Sequence, residues 1–472
     1  MKETSNKPKP NRPGPRRGGP RRPDGRNAET SKASRAPATG LAARQLAVVL
    51  IAAVMSERRA LDEALTMSLA SRSFTGMEPR DRAFARLIAA TVLRRHGELN
   101  AIVSSFIDKP LPQNQGRLNA ILLSAAAQLL LLGTAPHAAI SQAVDQCRLD
   151  RDAGRFDKLT NAVLRRVADQ GPTMLAQLDA AALNIPGWLL QRWQRTYGDV
   201  AAKEIALASL REAPLDLSVK TAEAAQKLDG LQLPTGSVRL AGHGRIEDLP
   251  GYDDGDWWVQ DAAAALPARL LGEIANRDVA DLCAAPGGKT AELAAAGAHV
   301  TSVDVSQRRL KRVDVNLERL KLEATLVTAD VATWAPGRTF DAVLLDAPCT
   351  ATGTIRRHPD ILHLKRDDDI AALAAIQAGL IDNAANLVKP GGTLVYCVCS
   401  LQPEEGIDQV TRFLSAHTDF RRAPLAEGEA AIAADWITPD GDLRTLPTHL
   451  ALEKPELSGM DGFYAARLVR NQ

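Results

Sequence analysis

Two cysteines fifty residues apart, Cys349 in DAPCTATGT and Cys399 in YCVCSLQPEE, each sit where an apolar run gives way to a loop. Cysteine is an intrinsically strong nucleophile, and a covalent intermediate through it divides one difficult step into two easier ones. Methylation of carbon 5 of a cytosine is chemistry of that kind. That carbon is too weak a nucleophile to attack a methylsulfonium directly. A thiolate adding to carbon 6 turns the ring into an enamine whose carbon 5 is nucleophilic. A group at ring nitrogen 3 must then stabilise or protonate the developing charge, and Asp346, just before Cys349, is placed for this. After transfer, a base removes the carbon 5 proton and the thiol is eliminated. Most strand cysteines are inert core, and Cys147, in a helical stretch, is read that way. Cys397 shares a strand face with Cys399, so spacing alone leaves both open as the nucleophile. A CxC pair without a second pair or suitably spaced histidines does not make a zinc site, and no metal is expected.

A second cluster surrounds the turn DLCAAPGGKT at 281–290. It is neither the dinucleotide fingerprint GxGxxG nor a P-loop. Gly287 and Gly288 permit positive φ and close backbone approach, and the helix that follows offers free N–H groups. Cys283 is expected to lend only its backbone. Asp304 follows Asp281 by 23 residues, where a carboxylate can take both hydroxyls of a ribose. Asp330, ending the next strand, is suited to an adenine amino group. A lone PGG is ordinarily just a chain reversal; three acidic strand ends after it make a nucleotide-type site. Lys289 is open between a cofactor carboxylate, an RNA phosphate and the surface. The RRHPD run at 356–360 suits backbone phosphates or a flipped base, though adjacent arginines are often merely solvated.

These residues need a scaffold that gathers strand ends. Apolar runs at 279–283, 299–305, 324–330, 341–346 and 393–399 alternate with helical segments, the longest at 368–387 and ending at a Lys-Pro-Gly-Gly turn. Such alternation implies an α/β Rossmann-type domain with a parallel sheet covered on both faces, and ligands bind beyond the carboxyl ends of such strands. Residues 41–167 instead repeat apolar positions at helical spacing between Gly/Pro breakers, which reads as an all-α bundle of five to seven helices. Strand-like segments near 214–219 and 237–240 flank an Ala-rich helix. The expected domains are a basic disordered tail at 1–40, an all-α domain at 41–171, a small α+β linker domain at 172–250 and the Rossmann-type domain at 251–472.

Bulk properties narrow the class. The net charge of +2 hides 11 Lys/Arg against 3 Asp/Glu in residues 1–40, a proline-rich arm that cannot build a core and suits phosphate backbones or solubility. The longest apolar stretch, 120–132, is interrupted by Ser124 and Gln128 and falls short of the roughly 20 residues a membrane span needs. The N-terminus carries charge with no apolar segment behind it, unlike a secretory signal. Five scattered cysteines do not form a disulfide framework, so a reducing cytoplasm is expected.

DLCAAPGGKT, VDVS, DAPCTATGTIRRHPD, CSLQPEE and GFYAARL together resemble the RsmB/Sun (Fmu) family, and the resemblance extends over about 41–470. HAAISQAVDQCR (137–148) and FDKLTNAVLRRV (156–167) resemble a NusB-like RNA-binding domain. The resemblance implies a bacterial, S-adenosylmethionine-dependent methyltransferase making 5-methylcytosine in 16S ribosomal RNA. It implies Cys399 as nucleophile and Cys349 as the residue assisting product release. It also implies cofactor contacts at Cys283, Ala284, Ala285, Pro286, Gly287, Gly288, Lys289, Asp304, Asp330 and Asp346. Val398 stands where family members usually carry Thr, which keeps Cys397 in view, although only Cys399 precedes a serine as the motif requires. A monomer acting on ribosomal RNA without a membrane is expected. The competing readings are a transfer-RNA cytosine methyltransferase and a non-catalytic RNA-binding assembly or antitermination factor. An amino-group methyltransferase would want an aromatic residue where Cys349 stands.

Overall fold

The computed structural model describes residues 40–242 and 244–472. The basic arm expected to be disordered lies outside the described residues, apart from Gly40. Seven helices run from Leu41 to Leu175: Leu41–Glu57, Leu61–Leu69, Pro79–Arg94, His96–Ser105, Leu118–Leu130, Pro136–Leu149 and Asp157–Leu175. Pro79 and Pro136, part of the breaker clusters, open their helices at a position where a missing N–H costs nothing. The apolar stretch at 120–132 becomes the buried helix Leu118–Leu130. Its polar residues are satisfied: Gln128 donates to Ser124 O at 3.1 Å and accepts from Arg44 Nε at 2.7 Å. No helix among the described residues is long and apolar enough to cross a membrane.

Three more helices, Ala180–Asn184, Gly187–Tyr197 and Asp199–Ser209, precede the first strand, so 172–250 is more helical than its sequence suggests. Then β1 (Leu215–Val219), β2 (Leu231–Gln232), β3 (Val238–Leu240) and β4 (Trp257–Val259) form an antiparallel sheet in the order β2-β3-β1-β4. This sheet straddles residue 250, because Trp257 of β4 fills the core made by Leu217, Val238 and Leu240. The buried Arg239 makes two bonds of 2.7 Å to the Asp216 carboxylate and also donates to Leu457 O and Gly459 O. A bidentate, fully satisfied pair of this kind fixes orientation, and it ties the small sheet to the C-terminal segment.

The larger sheet is built on β5 (Asp278–Leu282), β6 (His299–Asp304), β7 (Thr325–Thr328), β8 (Phe340–Asp346) and β9 (Val388–Val398). These are parallel neighbours in the order β7-β6-β5-β8-β9. The sheet is not purely parallel: β10 (Phe420–Arg422), β11 (Leu443–Arg444) and β12 (Tyr464–Arg470) extend it, with β12 antiparallel to β9, β10 and β11. The GFYAARL motif lies on and just before β12. Alternation separates the two faces, with Val279, Leu344, Val395 and Cys397 in one core and Ala280, Leu345, Tyr396 and Val398 in the other. The strand order reverses between β5 and β8, the place where such sheets open a crevice.

The Lys-Pro-Gly-Gly turn is not a simple boundary. Val388 already pairs with Phe340, residues 389–392 bulge with Gly391 at φ +75°, and pairing resumes at Thr393 opposite Ala342. The register set there aligns Cys397 beside Asp346 and places Cys399 just past the strand end.

Candidate active site

At the end of β5 the chain reverses through Cys283, which adopts φ +62°, and Gly287, at φ +100°. A Cβ on Gly287 would come within 2.9 Å of Val313, so glycine is required there by both conformation and space. The turn is fastened to the next strand, since Ala285 N donates to Asp304 Oδ2 at 3.2 Å. Asp304 also accepts from Ser306 N at 2.9 Å and pairs with Arg309 at 3.3 Å. Beneath the turn, buried Asp281 accepts from Thr290 Oγ1 at 2.5 Å, and burial pushes its carboxyl up to about 7.

Lys289, one residue into the helix Gly288–Ala295, reaches Asp346 at the end of β8, with Nζ 2.8 Å from Oδ2. Its ammonium stands 5.0 Å from the centre of the Phe463 ring. Burial disfavours the charged lysine, but Asp346 and the nearby thiols outweigh it and hold Lys289 protonated.

Beyond β8 and β9 the two loop cysteines meet: Cys349 Sγ and Cys399 Sγ are 3.5 Å apart. The contact with Cys399 and burial together push the Cys349 thiol well above its usual range. Cys397 is fully buried with its thiol 3.6 Å from Asp346 Oδ1, and burial raises it well above the thiol range. The loop geometry depends on a close approach. Gly353 donates to Cys399 O and accepts from Gly462 N, and a Cβ at Gly353 would lie 1.9 Å from Gly462 O.

A cavity of about 590 Å³ opens at this place. Lys289, Asp346, Cys399, Arg357, His358 and Phe463 line it, together with Ala284, Pro286, Gly287 and Gly288 of the turn. Tyr252, Trp258 and Arg319 form a further wall, with the Arg319 guanidinium 4.4 Å from the Tyr252 ring centre. Of the residues singled out from sequence, Cys283, Ala285, Asp304, Asp330 and Cys349 do not line it. Cys349 stands directly behind the lining Cys399, and Asp304 holds Ala285, which lies between the lining residues Ala284 and Pro286. Asp330 stands apart: β7 ends at Thr328, and the exposed Asp330 carboxylate accepts from Ala332 N at 3.0 Å, capping its own turn.

The RRHPD run divides its labour. Arg356 is buried, donates to Ser458 O at 3.3 Å, and its carbonyl accepts from Arg94 of the helical domain at 2.9 Å. Arg357 faces the cavity, bound to Asp461 through Nε at 2.7 Å and through Nη2. Burial opposes its charge, but Asp461 and Asp261 hold Arg357 protonated. His358 lies 3.9 Å from Asp62, and Asp360 Oδ2 accepts from Leu61 N at 3.0 Å. Asp461 and the Tyr252–Trp258 wall were not singled out in the sequence, and Phe463 entered only as part of GFYAARL. No local signal marks Asp461 or Tyr252, because their partners Arg357 and Arg319 lie far away along the chain.

The donor set suits S-adenosylmethionine. Asp304 has accepting capacity left beyond its present bonds, as a carboxylate takes about four hydrogens. The first N–H groups of the Gly288 helix have no acceptor within that helix, which suits a carboxylate.

An open crevice at the reversal of a mainly parallel sheet, lined by an acidic strand end, a glycine turn and a thiol, defines a Rossmann-type methyltransferase; here it follows an all-helical domain. A family model described as 16S rRNA methyltransferase RsmB/F matches residues 268–469, and the NusB family model matches residues 41–169. The chain is 38% identical over 398 residues to ribosomal RNA small subunit methyltransferase B of Xanthomonas campestris pv. campestris, covering 80% of this chain and 88% of that one. With the protein of the same name from Serratia proteamaculans it shares 36% over 441 residues, 89% of this chain and 97% of the other. The chain belongs to the ribosomal RNA small subunit methyltransferase B family. The crystal structure of PH0851 is similar in fold, with a TM-score of 0.70, 22% identity, and 90% of this chain and 98% of that one covered. A methyltransferase homolog from Pyrococcus horikoshii matches with a TM-score of 0.50 and 26% identity, over 59% of this chain and 93% of the other.

Proposed function

We propose that this protein methylates carbon 5 of a cytosine in small-subunit ribosomal RNA, with S-adenosylmethionine as donor and Cys399 as nucleophile. The carrying observation is the pair of thiols 3.5 Å apart beside a cavity that also holds the Lys289–Asp346 ion pair. Bound S-adenosylmethionine supplies a methyl group on a sulfonium. Ala284, Pro286, Gly287 and Gly288 would hold it with Asp304, as would Cys283 and Ala285 through the backbone. Asp330 would offer an adenine amino group the carboxylate that here caps its own turn.

The Cys399 thiolate adds to carbon 6 of the ring, and the displaced electron pair makes carbon 5 nucleophilic. Asp346, expected from the sequence to act at ring nitrogen 3, instead accepts from the exocyclic amine, and the Lys289 ammonium paired with it donates to nitrogen 3, where charge develops. That order of acceptor and donor suits cytosine and not uracil, whose corresponding edge is reversed. After methyl transfer a base takes the carbon 5 proton, and the carbon–sulfur bond to Cys399 breaks. Cys349, held protonated against Cys399, assists that release. Cys397 is the weaker candidate for nucleophile because it is sealed behind Asp346. The target in ribosomal RNA is supported by the relatives, which are ribosomal RNA small subunit methyltransferases, and by the NusB-like domain.

With ribosomal RNA and cofactor, Cys349→Ala is expected to accumulate a covalent protein–RNA adduct that survives denaturing electrophoresis. Cys399→Ala should give neither adduct nor methylated cytosine. An active Cys399→Ala protein beside an inactive Cys397→Ala one would overturn the assignment.

A further inference from the structure

Glu405 is fully buried, and its carboxylate binds the residue that follows each of the two loop cysteines. Oε1 accepts from Thr350 N at 2.8 Å, while Oε2 stands 2.5 Å from both Thr350 Oγ1 and Ser400 Oγ. Thr350 Oγ1 and Ser400 Oγ are themselves 3.1 Å apart. Gln377 Nε2 adds a bond to Oε1 at 3.2 Å, and Tyr396 OH donates to the Glu405 carbonyl at 2.6 Å. One carboxylate therefore closes a ring in which Cys349-Thr350 and Ser400-Cys399 are two arms. The adjacent Glu404 points elsewhere and pairs with Arg192.

We propose that Glu405 is a positioning residue for the two-thiol chemistry, and that its carboxylate sets the separation of Cys349 and Cys399. It touches neither cavity nor thiol, so it acts through Thr350 and Ser400. A hydrogen bond to a carboxylate is stronger than one between neutral groups, and four converging donors satisfy both oxygens in a dry interior. With the carboxylate gone, the Thr350 N–H and two hydroxyls lose their common acceptor, and the Cys349 arm is free to move relative to β9. The cofactor turn at 283–289 hangs on different bonds, to Asp304 and Asp346. Loss of Glu405 should therefore strike the chemical steps and leave cofactor affinity unchanged.

The inference rests on the thiol chemistry proposed above, and two readouts separate failure of one from failure of the other. In Glu405→Gln, kcat is expected to fall on the order of 100-fold, the scale of a small misplacement at a reacting centre, with KM for cofactor and RNA unchanged. The second readout needs no activity. Diamide takes the two thiol hydrogens as it is reduced to the hydrazine and leaves a Cys349–Cys399 disulfide, followed by mass spectrometry. That bond should form readily in the native protein and about tenfold more slowly in Glu405→Gln. Thr350→Val and Ser400→Ala each remove one donor and keep the carboxylate, and should show the same signature more weakly. They carry the test if the Glu405 variant is unstable. Glu404→Gln should behave as native protein. Native kcat and native disulfide rate in folded Glu405→Gln, or a change confined to KM or melting temperature, would overturn the proposal. Absence of any adduct in Cys349→Ala, with disulfide formation still slowed, would sink the chemistry and spare the positioning role.

Discussion

At the residue scale the site combines groups that burial pushes in opposite directions. Lys289 keeps its charge in a buried place because Asp346 faces it, whereas Asp281, bonded by the neutral Thr290 hydroxyl, is raised by burial to about 7. The sign of its effect follows from linkage. A carboxyl with a folded pKa near 7 against 3.8 unfolded holds a proton that the unfolded chain has lost, so its contribution to stability is full below pH 4 and is lost as pH rises through 7. Asp281→Asn keeps an acceptor for Thr290 and never ionises. The variant should gain stability relative to native protein by about 2–4 kcal/mol between pH 4 and pH 8. Urea unfolding at a series of pH values measures this, and a difference that stays constant with pH would refute it.

At the scale of elements, the loop beyond β8 does two jobs. Its first part carries Cys349 to Cys399 and Arg357 to the cavity, and its second part docks the helical domain. Asp360 sits at the N-terminus of the helix Leu61–Leu69, Arg94 reaches the Arg356 carbonyl, and His363 contacts Leu93 O at 2.8 Å. The His96 and His363 rings pack edge to face at 5.3 Å, and burial lowers His96 to about 4, so this contact is between neutral rings at neutral pH. A helix start capped from another domain couples the two. Asp360→Ala should cost about 1–2 kcal/mol, the usual loss for a helix cap, and lower methylation through the adjoining Arg357 and His358. Asp360→Asn, which still accepts from Leu61 N, should recover most of both. Melting curves and initial rates for the two variants decide it; equal losses in both would remove the capping explanation.

At the scale of the whole molecule, the boundary near 250 cuts a folded unit. A fragment of residues 251–472 would carry β4 without β1 and expose Trp257, and it would leave Leu457 O and Gly459 O without Arg239. That fragment should aggregate or melt without cooperativity, while one of residues 176–472, which keeps the small sheet, should melt cooperatively. A monomeric 251–472 fragment with a sharp transition would contradict this. Much of this architecture is readable from sequence alone: apolar runs of strand length with Asp281, Asp304 and Asp346 at or next to their ends, a glycine turn, and two thiols past strand ends. Chain order and local alternation determine those, because a strand's faces repeat every second residue whatever surrounds it. The same rule left Cys397 and Cys399 equivalent, since both share one face. Only the bulge at 389–392 and the pairing with β8 decide that Asp346 covers one and that the other meets Cys349 at the cavity. Neighbouring Arg356 and Arg357, and Glu404 and Glu405, are likewise alike in sequence. Partners up to 262 residues away give each its task, because burial and hydrogen bonding are settled by what packs across the fold.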